Sequence, residues 1–259
     1  MIPDIETIVA LCEESAQAIA AVRGEARIGG DERFPVTPAD KASSAILEAG
    51  LKKYGFPVIS EENDTRVPKR GYAWVVDPLD GTSDFVSGDP DWCIMVGLVE
   101  DGAPILGVVY APDSEMLWTA TKGKGSFLRH AGVTKQLTVS TVAQPKDATM
   151  LMSRNHLSNE MIAVAERLGI ATRGVGSMGI KVGLIASGDA DCCWSNAPLG
   201  EWDVCAPSII LTEAGGMTSD IFGKPLVYGD ASRHIQSGYV ASNGHLHRPL
   251  IDVYPRISL

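Results

Sequence analysis

Residues 74–85, with the sequence WVVDPLDGTSDF, restrict what this chain can fold into more than any other stretch. Their first three apolar residues predict a buried strand. The strand is predicted to end at Asp77, because the proline after it lacks the N–H that a sheet ladder needs. Such an end would present oxygen and amide groups of Asp77, Leu79, Asp80, Gly81 and Thr82. These oxygens suit a hard cation such as Mg²⁺ and the amides suit a phosphate, although turn geometry alone also favours these residue types.

The charge of the chain narrows the class of ligand. The sequence has 32 acidic against 22 basic residues, a net charge of −10, and no block of lysine and arginine stands out. A nucleic-acid surface needs such a block, so we expect no nucleic-acid polymer as a partner. A small phosphorylated molecule can still bind an acidic protein when divalent ions bridge the like charges.

The cysteines and the N-terminus indicate the cellular compartment in which the protein is expected. The five cysteines are odd in number, form no C-x-x-C pair and lie in apolar stretches, which predicts buried free thiols in a reducing compartment. The N-terminus lacks the basic start of a signal peptide, and no apolar run approaches the roughly 20 residues of a membrane span. We therefore expect a cytoplasmic protein without a membrane span.

The hydrophobic pattern predicts a mixed α/β fold whose two halves differ. Residues 1–145 are predicted to hold N-terminal helices and a mostly antiparallel sheet, with a hairpin between strands over 93–99 and 105–110. From residue 146 to residue 259, strands and helices alternate. Predicted helices cover 4–22, a segment capped by Thr37 or Asp40, 158–168, 177–187 and 202–214, and other strands include 55–60, 116–121, 135–140, 149–153, 191–194, 217–220 and 238–241.

Several carboxylates fall at the ends of predicted elements, where binding residues concentrate. They are Asp40, Glu61, Asp77, Asp80 and Asp203. Each also has a plain structural explanation. Adjacent glutamates such as Glu61 and Glu62 are usually a solvated loop, and an aspartate at a helix start gains from the helix dipole. The residues alone leave open whether these groups converge.

Together these motifs resemble the signature set of the inositol monophosphatase superfamily. The resemblance rests on residues 61–62, 77–82, 202–203 and 213–216 in the family's order and approximate spacing. It implies a sugar-phosphatase-type α-β-α-β-α sandwich of two closely packed lobes, here residues 1–145 and 146–259. It also implies an Mg²⁺-dependent, lithium-sensitive phosphomonoesterase, and homodimers are frequent in this family.

The same resemblance implies roles for individual residues. Two or three Mg²⁺ ions would be held by Glu61, Asp77, Asp80, Asp203 and the carbonyl group of Leu79. Asp40 and Thr82, with Glu61, would orient and deprotonate the attacking water, and the amides of Gly81 and Thr82 would hold the phosphate. The chemistry agrees, because Mg²⁺ prefers carboxylate and carbonyl oxygens and lowers the pKa of water, so that no covalent enzyme intermediate is needed.

Within the superfamily the chain is most similar to the CysQ-type 3′(2′),5′-bisphosphate nucleotidases. Asn196 stands where inositol monophosphatases carry a glutamate for the inositol ring, and Lys181 stands where they carry Asp or Asn. The implied substrate contacts are Ser153, His156, Ser177 and Lys181, and a lysine, a histidine and the nearby Arg154 would suit a second phosphate.

The implied reaction removes the 3′-phosphate of adenosine 3′,5′-bisphosphate, a by-product of sulfate assimilation, and gives AMP. The alternative is hydrolysis of inositol 1-phosphate, or of another sugar or polyol phosphate, by the same residues.

Other interpretations of single motifs remain. Residues 174–179 (GVGSMG) form a formal G-x-G-x-x-G, but the strand before them is weak, which disfavours a dinucleotide site. A non-catalytic metal or phosphate sensor would be indicated by a missing carboxylate, and none of the expected ones is missing. His245 and His247 are predicted to lie in a surface loop, because no third ligand is near them in sequence. The aromatic residues predicted to lie in the core are Trp92, Trp118 and Trp194.

Overall fold

The computed structural model describes residues 2–24, 29–30, 35–63, 70–229 and 234–254. The helices within them are α1 (Ile5–Ala21), α2 (Pro38–Lys52), α3 (Thr82–Ser87), α4 (Asn159–Leu168), α5 (Met178–Ala186), α6 (Glu201–Glu213) and α7 (His247–Val253). The strands are β1 (Gly29–Gly30), β2 (Pro35–Val36), β3 (Val58–Ser60), β4 (Tyr72–Asp80), β5 (Cys93–Glu100), β6 (Ala103–Ala111), β7 (Met116–Thr121), β8 (Gly125–His130), β9 (Val133–Gln136), β10 (Thr149–Ser153), β11 (Ala171–Val175), β12 (Cys192–Ser195), β13 (Leu199–Gly200), β14 (Met217–Ser219), β15 (His234–Ile235) and β16 (Tyr239–Ser242). None of the helices in the described residues has the length and apolar character needed to cross a bilayer.

Two sheets organise the chain. The first has seven strands in the order β3-β4-β5-β6-β7-β8-β9, and its neighbours are antiparallel except for β3 with β4. The second has five strands in the order β11-β10-β12-β16-β14, in which β10 runs parallel to both of its neighbours. The predicted change from an antiparallel sheet to alternating strands and helices is therefore confirmed. The boundary between residues 145 and 146 falls between β9 and β10, and the division into two domains stays a prediction.

Helices and sheets alternate in five layers, as predicted. Helices α1 and α2 cover one face of the first sheet, α5 and α6 lie between the two sheets, and α4 and α7 pack on the second sheet. Apolar side chains fill the spaces between these layers, and the free energy of folding comes largely from burying them. Examples are Leu47 and Trp74 in the first core, Trp118 and Ile210 in the middle core, and Val164 and Leu250 in the outer core.

The start of α2 follows from its sequence. Thr37 is the N-cap: its hydroxyl accepts the Ala39 N–H at 3.1 Å. Asp40, in the first turn, closes a capping box by accepting the Thr37 N–H at 2.7 Å. Thr37 is therefore the cap and Asp40 its partner. The sequence also predicts a short extended segment over residues 34–40, and residue 34 lies outside the described residues.

The predicted hairpin and the predicted core residues are confirmed. Strands β5 and β6 pair from Glu100 with Ala103 onward, and Asp101 and Gly102 between them both have positive φ. That backbone is the one two-residue hairpin turns require, and Asp-Gly is its typical sequence. The three tryptophans and the five cysteines predicted to be buried are buried, and the cysteines are free.

Three expectations need correction. The strand expected over 135–140 is β9, which is shifted towards the N-terminus and shorter. The weak strand before residues 174–179 does form, as the exposed edge strand β11; β12 ends in Ser195 and offers no carboxylate for a dinucleotide ribose. His247 is buried at the start of α7, where its ring nitrogens meet the hydroxyls of Ser219 and Ser242 at 2.9 and 3.0 Å. The surface-loop prediction is wrong for this histidine, because α7 packs on the second sheet and two serines satisfy the imidazole.

Candidate active site

A bulge in β4 brings two aspartates to the same side of the first sheet. The strand does not end at Asp77 as predicted but continues to Asp80. Asp77 pairs with Met95 and Asp80 pairs with Cys93, so three steps along β4 match two steps along β5. Side chains alternate between faces along a strand, and residues three apart would normally point to opposite sides. The extra residue of the bulge restores the common side, and proline is tolerated there because bulge residues leave the ladder.

The turn after β4 connects to Asp40 through Thr82. The Thr82 hydroxyl oxygen lies 3.2 Å from Asp40 Oδ1 and 3.0 Å from the Leu79 carbonyl oxygen. Gly81 has a φ of +88°, and a Cβ at this position would lie 2.6 Å from the Asp91 carbonyl oxygen. The turn therefore requires glycine, both for its left-handed backbone and for the close approach of the next loop.

Asp203 joins this group from the second half of the chain. It lies in the first turn of α6, where its Oδ2 accepts the Gly200 N–H at 2.8 Å. Helix α6 lies between the sheets, so its start faces the side to which Asp77 and Asp80 point. A carboxylate in a first turn is also favoured by the helix dipole.

The carboxylates open into a single large cleft of about 930 Å³. Of the residues predicted from the sequence to form the site, every one except Ser177 lines it. These lining residues are Asp40, Glu61, Asp77, Leu79, Asp80, Gly81, Thr82, Ser153, His156, Lys181 and Asp203. The structure thus places in one cavity groups that are separated by more than 160 positions in the sequence (Asp40 to Asp203).

The carboxylates of the cleft repel one another. Burial raises the pKa of Asp77 and of Asp203 well above the usual range, and the charges of Asp80 and Glu61 raise both further. Glu61 is exposed as a residue, but the carboxyl group faces the concave cleft. There, loss of water and then repulsion from neighbouring carboxylates raise its pKa to about 7. Burial also raises the pKa of Asp40, against the opposing hydrogen bonds from Thr37. Charge of one sign concentrated in this way favours a cation.

The donor chemistry of the cleft fits a hard divalent cation. One oxygen of each of three carboxylates accepts hydrogen bonds from backbone or side-chain donors. These oxygens are Oδ1 of Asp77, Oδ2 of Asp80 and Oδ2 of Asp203. The other oxygen of each carboxylate accepts no hydrogen bond from the described residues, so it is open to a ligand. In the described part of the chain, however, no three acidic, histidine or cysteine side chains are gathered closely enough to enclose an ion as they stand.

Ser177 lies behind the cleft wall rather than on it. This N-cap of α5 is fully buried, and its hydroxyl donates to Asp80 Oδ2. The Gly179 N–H donates to the same oxygen at 2.9 Å. Contrary to the expectation of a substrate contact, Ser177 is positioned to hold one oxygen of Asp80 and so to orient the other.

A second part of the wall comes from β10 and α5. Ser153 and His156 lie at and after the end of β10, and the Ser153 hydroxyl accepts the His156 N–H at 3.0 Å. Lys181 is buried, and its Nζ donates to the Gly176 carbonyl oxygen at 2.9 Å. Burial lowers the pKa of Lys181, although nearby negative groups, Asp80 among them, oppose that shift.

Asn196 does not line the cleft. The Ser158 hydroxyl donates to Asn196 Oδ1 at 3.1 Å, which ties the loop after β12 to the start of α4. The side chain at the position that the resemblance relates to the inositol ring is therefore engaged with the protein.

Sequence reasoning missed several residues of the wall. They are Asp84, Asn155, Leu157, Met161 and Trp194. Leu157 is 52% exposed, although it is a large apolar residue. No spacing in the sequence marks these positions, because their place in the wall depends on how α3, β10, β12 and α4 pack together. Asp84 gave the best available signal, since it is the next carboxylate after the Gly-Thr turn.

The layered fold and this acidic cleft belong to a known class of phosphatases. The model of the inositol monophosphatase family matches residues 4–253, and the chain belongs to that family. Its enzymes are phosphoric monoester hydrolases that are generally metal-dependent, usually with Mg²⁺. The chain is accordingly a phosphatase, and the family resemblance inferred from its sequence motifs is confirmed.

Curated relatives differ in the substrate that their names state. A 3′(2′),5′-bisphosphate nucleotidase CysQ of Escherichia coli O157:H7 is 31% identical over 92% of this chain and 99% of that protein. A histidinol-phosphatase of Mycobacterium tuberculosis is 33% identical over 82% of each chain. An inositol-1-monophosphatase of Mesorhizobium japonicum is 32% identical over 73% of each. Among solved structures, an IMPase from Thermotoga maritima has the same fold, with a TM-score of 0.83 at 24% identity over 98% of this chain and 97% of that one.

Proposed function

We propose that the protein hydrolyses the 3′-phosphate of adenosine 3′,5′-bisphosphate to give AMP and phosphate. The observation that carries this proposal is the similarity to the CysQ nucleotidase, which extends over nearly the whole length of both chains. The cleft is in keeping with it, because beyond the carboxylates its wall includes His156 and Lys181, groups that suit a second phosphate. Clearance of a by-product of sulfate assimilation would be the corresponding role.

The proposed cofactor is Mg²⁺, as two or three ions. Glu61, Asp77, Asp80, Asp203 and the Leu79 carbonyl group would hold them, because these are the hard oxygen donors of the cleft. Bound Mg²⁺ would supply neutralisation of the phosphate charge and a lowered pKa for the attacking water.

The protein groups would position and deprotonate that water. The Thr82 hydroxyl lies between Asp40 and the Leu79 carbonyl group, so these three groups have a fixed relation. Asp40 is itself fixed, because Thr37 occupies its Oδ2 with both an N–H and an O–H donor. Asp40 and Thr82 would orient the water and Glu61 would accept its proton. The amides of Gly81 and Thr82 would hold the phosphate group.

The second phosphate would meet Ser153, His156 and Lys181. Lys181 Nζ donates to the carbonyl oxygens of Gly176 at 2.9 Å and of Val175 at 3.5 Å, which leaves one of its three N–H bonds to donate. Ser177, which the sequence suggests as another contact, would act through Asp80 instead.

A second candidate function is hydrolysis of a small alcohol phosphate such as inositol 1-phosphate or histidinol phosphate. The relatives with these activities in their names match the nucleotidase in percentage identity, although over a smaller share of the chain. The test is release of phosphate with Mg²⁺ from these two esters and from adenosine 3′,5′-bisphosphate, side by side at limiting concentration. A higher kcat/KM for the bisphosphate supports the proposal, whereas a preference for either alcohol phosphate refutes it within the same family.

The oligomeric state stays part of the proposal. Family resemblance suggests a homodimer, and light scattering distinguishes a monomer of 27.5 kDa from a species of twice that mass.

A further inference from the structure

Arg154 connects the end of β10 with the loop that follows α3, and it does not itself line the cleft. It follows the last residue of β10, and its guanidinium group donates to Asp89 Oδ2 and to Asp91 Oδ2. Oδ1 of Asp84 lies 3.8 Å from the same group. All three carboxylates belong to α3 or to the loop that follows it, whereas Arg154 belongs to the second sheet.

Neighbouring contacts strengthen the same junction. Asn155 Nδ2 donates to Oδ2 of the buried Asp84 at 2.8 Å. The Gly176 N–H donates to Asp91 Oδ2 at 3.0 Å. A Cβ at Gly176 would lie 2.4 Å from the Asp84 carboxylate, so only glycine allows this approach. Residues 84–91, 154–155 and 175–176 therefore meet at one point.

This junction lies between the proposed phosphate-binding turn and the part of the cleft wall formed by residues 153–157. Helix α3 begins immediately after Gly81, in the proposed phosphate-binding turn, and the Phe85 N–H donates to the Gly81 carbonyl oxygen at 2.9 Å. On the other side, residues 153–157 supply the wall that would meet the rest of the substrate. We propose that Arg154 is a positioning residue: its bridge to Asp89 and Asp91 fixes residues 153–157 relative to the phosphate-binding turn. This inference rests on the proposed function only for the identity of the turn.

A direct contact between Arg154 and a substrate phosphate is disfavoured by charge. One guanidinium group faces Asp84, Asp89 and Asp91, so the formal charge of the junction is negative. An added phosphate would have to displace carboxylates that already occupy both arms of the guanidinium group. The geometry therefore disfavours the expected pairing of Arg154 with a second phosphate.

The test is a double-mutant cycle of Arg154→Ala, Asp91→Asn and the double variant. Loss of positioning should raise KM by between about 10- and 100-fold, since small displacements at a site have effects of this size. Kcat should change much less, because the carboxylates that activate the water are untouched. Asp91→Asn should give a comparable rise, and the double variant should be no worse than either single one. Arg154→Lys should rescue only part of the loss, because lysine cannot fork to two carboxylates.

Arg129→Ala is the matched control. Arg129 bridges Glu13 at 2.9 Å, and its side chain is 38% exposed against 39% for Arg154. Its removal should change neither kinetic constant. If Arg154→Ala merely lowers Tm as this control does, with KM unchanged, the positioning role is refuted. If Asp91→Asn tightens binding of a bisphosphate while Arg154→Ala weakens it, Arg154 is a substrate ligand instead.

A readout without turnover separates this inference from the proposed function. Amide hydrogen exchange should become faster in residues 153–157 of the Arg154→Ala protein and stay unchanged in α1 and β7. Unchanged exchange in 153–157 would overturn the inference whichever phosphate ester the enzyme hydrolyses. The kinetic cycle uses the ester that the wild-type protein turns over, so a different substrate preference would refute only the proposed function.

Discussion

At the scale of single residues, the protein holds one carboxylate oxygen of Asp80 and leaves the other open towards the cleft. Its Oδ2 accepts from the Ser177 hydroxyl and the Gly179 N–H, and no described residue donates to its Oδ1. Donors on one oxygen fix the direction of the other, as happens around the ligands of many metal sites. The buried Ser177 thus supports Asp80 although it does not itself line the cleft.

Asp80→Asn should lose turnover by at least about 100-fold, and Ser177→Ala by about 10- to 100-fold, the usual effect of a residue that supports a metal ligand. The measurement is kcat at saturating Mg²⁺, with circular dichroism to show that both variants fold. Activity in Asp80→Asn close to that of the wild type would show that this carboxylate is not a ligand.

His247 should make stability depend on pH. Burial lowers its pKa below the usual 6.5, so below that pH the unfolded chain binds a proton that the folded protein resists. The contribution of His247 to the free energy of unfolding should therefore fall as the pH drops through about 6.5, with a slope of at most about 1.4 kcal/mol per pH unit. His247→Gln should be less stable at pH 7.5 but should lose less stability between pH 7.5 and 5.5. Urea unfolding at both pH values measures this, and equal losses in the two proteins would contradict it.

At the scale of elements, the site depends on an irregularity that sequence patterns do not show. Asp77 and Asp80 were recognisable by their residue types, but proline after Asp77 indicated the end of the strand. Strand β5 holds Asp80 in the ladder opposite Cys93, and the bulge absorbs the proline. Pairing partners that lie far away in the chain decide such a feature, so local sequence cannot predict it.

Helix α2 supports this bulge through Ser43. Its hydroxyl donates to the Pro78 carbonyl oxygen at 2.6 Å, and Ser15 of α1 lies 2.6 Å from it in turn. Ser43→Ala would leave a buried carbonyl group unpaired, which costs about 1–3 kcal/mol of stability. It should also raise the Mg²⁺ concentration for half-maximal activity, because Leu79 follows Pro78. Ser44→Ala, one residue along the same helix, is the control, and an equal effect there would refute the specific role of Ser43.

At the scale of the whole molecule, the order of the layers was predicted from the sequence, but the shape of the cleft was not. Amphipathic helices, the Asp-Gly hairpin and the alternation after residue 146 were predicted from local periodicity, whereas the α-β-α-β-α order was implied by the family resemblance. That the carboxylates of Asp40, Asp77 and Asp203 belong to one site was implied only by the family resemblance, because residues this far apart carry no local sign of contact. The burial of Trp194 was predicted, but the places of Leu157 and Trp194 in the cleft wall and the burial of His247 depend on packing between distant elements and were not predicted.

The acidic cluster of the cleft should lower the thermal stability of the whole molecule when no cation is bound. Repulsion among buried carboxylates destabilises the fold until a cation neutralises it, so Mg²⁺ should raise Tm. At a free concentration of about 100 times Kd the gain is about 2.7 kcal/mol. For a chain of this size that is a rise of about 5–10 °C.

Asp77→Asn tests the origin of that effect. The amide keeps an oxygen for the Leu79 N–H, which Asp77 accepts at 3.0 Å, but removes one buried charge. In EDTA its Tm should therefore exceed that of the wild type, while its response to Mg²⁺ and its activity should be largely lost. Asp191→Asn is the matched control, because Asp191 is equally buried but accepts hydrogen bonds from Ser140 and Thr149 outside the cleft. That control should lower Tm in EDTA and leave the Mg²⁺ response intact. A lower Tm for Asp77→Asn in EDTA, with a full response to Mg²⁺, would show that the acidic cluster is structural and that the cation binds elsewhere.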